Sequence, residues 1–387
     1  MAVYDGDKDV TDVAELVRFA VQVVGPRASE SDRAAVLAPE TISALAGRGF
    51  LGAGVPTRYG GLGLGDGRFG ELCAAVGSVC TASRALLTVQ DMVTGALLRT
   101  GSAAQREHWL PRLARGEVIA AFALTEPDVG SDAAAVTAAL TRSGDGWLLN
   151  GTKVWTSFGA DADVYLVIAR APDGPTAVLV ERDSPGLRVA PVADRSLGMR
   201  AAMMATLTFD DCPVGGEQVV GAVGTGFTFV AGTALDRGRH SVAWGSVGIA
   251  EGVLREATRH ATRREQFGAV LTEHQLVRAL LSDMLVRARS ARLLCQAASQ
   301  ARERRDPDAG LETVLAKYTA ARAAFDNAAA AVQVLGSRGC EVGSLTERMY
   351  RDAKIQQLIE GTDQMAQLQL WELAVRDESR HGGLVDR

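Results

Sequence analysis

The stretch LIEGTDQ, Leu358 to Gln364, sets a carboxylate beside a helix-breaking glycine near the end of a long apolar, helix-like pattern. Ile355, Leu358 and Ile359 recur at helical spacing and are expected to pack inward, which puts Glu360 next to a buried side. Gly361 then stops the helix, and Thr362 can cap the next one. A carboxylate held at such a break, partly desolvated, would have its pKa raised from about 4.3 toward neutrality, a cost of roughly 1.4 kcal/mol per unit. That suits proton abstraction, although the same Glu-Gly pair also reads as helix punctuation.

Three other stretches carry groups suited to a ligand. ALTEPDVGSD, Ala123 to Asp132, gathers a Thr, a Glu, a Pro, a Gly and a Ser at the edge of a β-patterned region, and a Gly-Ser turn exposes successive backbone donors to a polar ring or a phosphate. It reads equally as an ordinary loop. KVWTSFG places Trp155 and Ser157 two apart, on one face of a strand, where an indole and a hydroxyl could wall an aromatic cofactor or belong to a core. Arg255, Arg259 and Arg263 form a solvated stripe at i, i+4, i+8, while Arg264 is turned roughly 100° away. Arg264 stands just before QFG, where a guanidinium could grip a pyrophosphate or remain a surface charge.

These groups need elements to hold them. The 387 residues exceed one ordinary core, so two or three lobes are expected, and alanine blocks such as ARAAFDNAAAAVQ with few aromatics favour closely packed helices. From about Val10 to Ala114 the apolar spacing is helical, interrupted by the glycine-dense RYGGLGLGDG, Arg58 to Gly67. Near Ala120 the period turns to alternation, with GWLLNGTKVW read as two strands joined by an Asn150-Gly151 turn, followed by VYLVIAR, TAVLVE and MATLTF. Near Phe227 the pattern reverts to long helices, with RERRDPDAG a solvated connector.

A net charge of −5 excludes a global field for nucleic acid or an anionic membrane. The five dispersed cysteines predict neither a zinc site nor a redox dithiol and suggest a reducing compartment. The acidic start MAVYDGDKDV lacks a signal-peptide pattern and no window reaches a membrane span, so a soluble cytoplasmic protein without a metal is expected.

Together these segments resemble the acyl-CoA dehydrogenase family over nearly the whole chain and in the same order. The marks are RYGGLGLG, ALTEPDVGSD, NGTKVWTS, DRGR, TRREQFG, EHQL, AVQVLGSRG and YRDAKIQQLIEGTDQ. The resemblance implies a mostly α fold with a central β domain: an N-terminal helical domain at 1–118, a β-barrel-like middle domain at 119–228 and a C-terminal four-helix bundle at 229–387. It also implies a homo-oligomer, tetramer or dimer, with FAD between the β lobe and the C-terminal helices.

Carried over by position, the resemblance puts Phe122, Leu124 and Thr125 along the flavin and Ser131 against both flavin and acyl-thioester. Trp155 and Ser157 match a W-x-T/S pair whose hydroxyl faces the reactive flavin nitrogen. Arg264, Gln266, Phe267 and Gln275 match positions gripping the pyrophosphate and adenosine half, and Gln333 and Ser337 a segment reaching the FAD of a neighbouring subunit. Asp236 and Arg239 match a D-x-x-R that meets the carrier arm, Thr362 and Gln364 match flavin contacts, and Glu360 matches the base. The implied reaction removes the proton α to a thioester carbonyl while the β hydrogen leaves as hydride to the flavin, with the Gly361 N–H donating to the carbonyl oxygen.

The chain departs from the family pattern at Val129, where a small residue is usual, at Ile359, where an aromatic is common, and at Ser337 and Cys340. VGSVCTASRALLTVQDM, HSVAWGSVGI and RREQFG look more like the acyl-carrier-protein dehydrogenases of polyketide extender-unit pathways, such as methoxymalonyl formation, than like β-oxidation enzymes. That implies a short, oxygenated acyl group on a phosphopantetheine arm of coenzyme A or an acyl carrier protein, with oxidation at a carbon–carbon bond, a hydroxyl or an aldehyde carbon. Two other readings stand beside it: a flavin monooxygenase on the same scaffold, and a non-enzymatic helical scaffold that binds partners without flavin.

Overall fold

A computed structural model describes residues 12–192 and 196–385; the acidic start read above lies outside them. Helices α1 (Val13–Phe19), α2 (Gly25–Ala34), α3 (Pro39–Gly47), α4 (Asp66–Gly77), α5 (Thr81–Thr100) and α6 (Ala103–Ala114) come first. Strands follow: β1 (Ala120–Ala123), β2 (Ala139–Ser143), β3 (Gly146–Thr156), β4 (Val164–Ala171), β5 (Gly174–Glu181), β6 (Leu187–Pro191), β7 (Ala205–Val214) and β8 (Val219–Val220). Then come α7 (Gly232–Ala261), a ribbon of β9 (Glu265–Gln266) and β10 (Ala269–Val270), α8 (Gln275–Glu303), α9 (Ala309–Leu335), α10 (Leu345–Gln356) and α11 (Asp363–Val385). The fold is mostly helical with a central mixed sheet, in the order helices, strands, helices. No described helix is long and apolar enough to cross a membrane.

The chain divides into two compact units, Met1–Gly65 with Cys80–Gly238, and Asp66–Val79 with Arg239–Arg387. In the first, the strand order is β6-β7-β3-β2-β4-β5-β8, and β1 pairs in parallel with β4. Alternation along β4 serves two cores, as a strand covered on both faces should. Val164, Leu166 and Ile168 pack with Leu97 of α5 and Leu110 and Leu113 of α6. Tyr165, Val167 and Ala169 pack with Trp147, Leu149 and Leu207 of β3 and β7. Gln90, buried on α5, joins helix to sheet: its amide donates to Leu113 O and Val118 O and accepts from Ala120 N at 2.8 Å.

The strand reading needs one correction. Asn150-Gly151 is not a hairpin turn; β3 runs through it, and the turn lies at Gly144-Asp145, between the paired Ser143 and Gly146. Asn150-Gly151 instead marks a register shift against β7, and the Asn150 side chain is occupied with Asp211 at 2.9 and 2.8 Å. Gly151 sits at φ +137°, and a Cβ there would lie 2.7 Å from Ala138 Cα. The dipeptide serves a close backbone approach, for which the same residue types are selected.

In the second unit, α4 packs on α7 through glycine. A Cβ on Gly248 would meet Ala74 O at 2.1 Å, and one on Gly252 would meet Ser78 O at 2.4 Å. Beside this crossing, Arg292 of α8 pairs with Glu71 of α4 at 2.6 Å and Glu251 of α7 at 2.7 Å. The bundle core joins Ile249 and Val253 of α7, Met284 of α8, Ala324 and Ala328 of α9 and Met349 of α10. Alanines on the inner face of α9 let the helices approach closely.

Candidate functional site

In the second unit the site is built on a break between two helices. Ser344 caps α10, accepting from Glu347 N at 3.2 Å, but α10 ends at Gln356, four residues before the Glu360 of the sequence pattern. The expectation that Gly361 alone stops the helix is therefore corrected. Helical periodicity no longer applies beyond Gln356, which is why Leu358, expected inward, is 49% exposed. Glu360 itself adopts φ +55° and Gly361 φ +93°. Left-handed backbone at a bulky acidic residue is unfavourable and persists only where the surroundings hold it.

The surroundings are visible. Arg239 of α7 donates from Nε to Glu360 O at 3.1 Å, and Lys317 of α9, 1% exposed, donates from Nζ to Gly361 O at 2.6 Å. Asp363 N closes the turn onto Gln357 O at 3.1 Å. Thr362 accepts from Met365 N at 3.3 Å, so it caps α11 as its sequence position implies. Arg239, Lys317, Glu360 and Gly361 line one cavity, walled on its apolar side by Val314 and Met365.

Two groups beside the turn are electrostatically shifted. Burial pulls the Lys317 ammonium down to about 8, against the attraction of Asp363 and Glu360 and with repulsion from Arg239. Burial pushes the Asp363 carboxyl up from its ordinary value, opposed by the charges of Lys317, Arg322 and Lys354. Among the described residues the Gly361 N–H has no acceptor, so the turn offers a carboxylate and an N–H donor from adjacent residues.

The other expected residues of this unit are at its surface. Arg264, Gln266, Gln275, Gln333, Ser337 and Gln364 are exposed. α7 ends at Ala261, so Arg263 lies beyond the expected helical stripe. RREQFG forms the β9–β10 ribbon, whose turn is Phe267 at φ +53° and Gly268 at φ +78°. Phe267 is 97% exposed, an aromatic in a strained backbone with nothing apolar covering it.

In the first unit the expected residues cluster around β1 and β3. Phe122 is half-buried on β1, Leu124 is buried, and Thr125 is half-buried with its carbonyl accepting from Val154 N at 2.9 Å. Ser131 is exposed on the loop after β1. Trp155 is 52% exposed at φ +56°, and β3 ends at Thr156. Simple alternation therefore does not relate Trp155 to half-buried Ser157: the register against β7 shifts between Lys153 and Thr156. Asp236 lies half-buried on α7. The hydroxyls of Thr125, Ser131 and Ser157 have no hydrogen-bond partner among the described residues.

Beneath this surface lies an ion pair that motif reading missed. Glu126 accepts from Lys153 Nζ at 2.7 Å, from Thr137 N at 2.7 Å and Oγ1 at 2.6 Å, and from Ala138 N at 2.9 Å. Lys153 also donates to Leu124 O at 2.9 Å. Burial alone would raise the Glu126 carboxyl, but the bonds from Lys153, Thr137 and Ala138 outweigh it and hold the group at about 2. The sequence signals were the glutamate of ALTEPDVGSD and a charged residue, Lys153, at an inward position of a strand. Lys317 was equally hidden, one of two cations, with Arg322, in an alanine-rich helix.

Comparison with known proteins adds a relationship over most of the chain. The family descriptions "Acyl-CoA dehydrogenase, N-terminal domain", "middle domain" and "C-terminal domain" match residues 11–117, 121–212 and 224–372. The chain is similar to the mitochondrial short-chain specific acyl-CoA dehydrogenase of Mus musculus, 34% identical over 356 residues, which are 90% of this chain and 86% of that protein. A solved structure of FkbI, described for biosynthesis of the methoxymalonyl extender unit of the Fk520 polyketide, aligns at 36% identity and a TM-score of 0.87 over 93% of this chain and 99% of that one. A glutaryl-CoA dehydrogenase of Mycobacterium smegmatis in complex with FADH2 aligns at 28% identity and a TM-score of 0.89, covering 95% of each chain.

Proposed function

The chain belongs to the acyl-CoA dehydrogenase family, and from that premise we propose that it is an FAD-dependent acyl-thioester dehydrogenase whose base is Glu360. The observation that carries the assignment is the turn itself: a glutamate held at φ +55° beside a glycine at φ +93°, each carbonyl gripped by a cation. Backbone strain maintained by its neighbours supports reading the position as functional.

The residues suit the cofactor. In the first unit, the half-exposed indole of Trp155 and the unpartnered hydroxyls of Thr125, Ser131 and Ser157 offer an aromatic wall with donors for a heteroaromatic ring, and Phe122 and Leu124 extend its apolar side. In the second, exposed Arg264, Gln266, Phe267 and Gln275 would hold the pyrophosphate and adenosine, with Thr362 and Gln364 contributing flavin contacts. Gln333 and Ser337, also exposed, would reach the FAD of a second copy, which supports a homo-oligomer.

FAD, when bound, supplies the two-electron oxidant that accepts the β hydrogen as hydride. The chain supplies the rest. Glu360 takes the proton α to the thioester carbonyl on its carboxylate, and the Gly361 N–H donates to the carbonyl oxygen as negative charge develops there. Asp236 and Arg239 would meet the carrier arm. Glu360→Gln should retain FAD yet abolish anaerobic flavin bleaching by an acyl thioester, and undiminished bleaching would sink the assignment.

The likeness to FkbI supports a short, oxygenated acyl group on an acyl carrier protein, within polyketide extender-unit synthesis, as the substrate. The discriminating measurement is anaerobic bleaching across acyl-CoA and acyl-carrier-protein thioesters of graded length, with and without an oxygen substituent. Preference for plain alkyl-CoA thioesters would overturn the narrower reading while leaving the dehydrogenase intact.

A further inference from the structure

Resting on the reading of Glu360 as base, we propose that Lys317 is a positioning residue for that base, fixing the Gly361 peptide plane while Arg239 fixes the one before it and keeping the adjacent carboxylate ionised by its charge.

The geometry begins with the peptide units. A trans peptide directs its C=O and its following N–H to opposite sides. Arg239 on Glu360 O therefore leaves the Gly361 N–H pointing away from Arg239, and Lys317 on Gly361 O orients the next plane in the same manner. A left-handed glutamate followed by glycine has other accessible conformations, and two charge-assisted bonds to consecutive carbonyls select one. A neutral donor could orient a carbonyl as well, so the placement of a buried cation points to a second role. Desolvating an ammonium is costly unless nearby negative charge offsets it.

The charged groups around Lys317 are Arg239 from α7, Glu360 from the turn and Asp363 from the start of α11, with Arg322 of α9 and Lys354 of α10 acting on Asp363. Around Glu360 the arrangement thus opposes the desolvation that would protonate the base. With the Lys317 ammonium pulled down to about 8, its charge begins to be lost under mildly alkaline conditions.

The test is a pH titration of the holoenzyme labelled with 13C-carboxyl glutamate, the Glu360 resonance being assigned by its loss in Glu360→Gln. The wild-type resonance should show its own acid step and a smaller displacement near the point where Lys317 deprotonates. Lys317→Met should move the acid step upward by about one pH unit, a tenfold change in acid dissociation, and remove the alkaline displacement. Lys317→Arg should keep the acid step near its wild-type position while also lacking the alkaline displacement, because a guanidinium does not titrate there. An unmoved acid step in Lys317→Met overturns the proposal. So does a wild-type resonance that ignores the alkaline range, a measurement that stands even where the methionine variant does not fold. No substrate is needed, so failure here is distinct from failure of the base assignment, which the bleaching of Glu360→Gln reads.

Discussion

Lys153 and Glu126 form an ion pair at 2.7 Å with side-chain exposures of 0% and 3%, Glu126 standing on the same loop as Thr125 and Ser131. Glu126 is held at about 2, below its ordinary value, so it binds fewer protons folded than unfolded. Its contribution is fully present above the unfolded carboxyl value of about 4.3 and is lost as pH falls from there toward 2. Urea unfolding should show a loss of a few kcal/mol across that window. Glu126→Gln should flatten this dependence and cost about 3–5 kcal/mol at neutral pH by leaving Lys153 buried without its counter-charge. An unchanged acid limb in the variant would contradict the account.

The α4–α7 crossing predicts a steric effect. Adding one methyl as Gly248→Ala places carbon 2.1 Å from the backbone oxygen of Ala74, which no side-chain rotation can relieve. We expect about 2–3 kcal/mol of destabilisation, read as a lower denaturation midpoint at unchanged slope. Gly268→Ala is the contrast: its left-handed φ of +78° makes the alanine strained, but a Cβ there meets nothing within 4 Å, so the loss should be nearer 1 kcal/mol.

Trp155→Ala tests the flavin wall. The side chain is already 52% exposed, so the melting temperature should move little, while FAD dissociation, followed by the rise of free-flavin fluorescence, should become about 3- to 10-fold more favourable. Retained affinity with a large fall in melting temperature would make Trp155 a core residue instead.

Much of the fold is legible in the sequence. The change of period near Ala120 and Phe227 gave the helix–strand–helix order, because periodicity reflects which face is buried. The Glu-Gly break at 360–361 was visible for the same reason, as the place where an apolar helical pattern meets a residue that cannot continue it. The end of α10 at Gln356 was not, since the grip of Arg239 and Lys317 on the turn reaches across 121 and 44 positions of the chain. Asn150-Gly151 misled because hairpin turns and bulges ask for the same conformational freedom, and only the partner strand distinguishes them. Lys153 and Lys317 do not stand out in the sequence because their partners, Glu126 and the Gly361 carbonyl, are 27 and 44 positions away.

The assignment of Asp66–Val79 to the same compact unit as Arg239–Arg387 bears on how the chain is made. A ribosome emits α4 first and its helical partner α7 only after the strands, an interval of roughly ten to thirty seconds at ordinary synthesis rates. During that time the glycine-matched face of α4 has no α7 to meet, and Cys73 lacks the Ser241 hydroxyl it contacts at 3.3 Å. A nascent chain stalled before Arg239 should therefore be the species that chaperones hold, and the strand-bearing unit the part that resists proteolysis first.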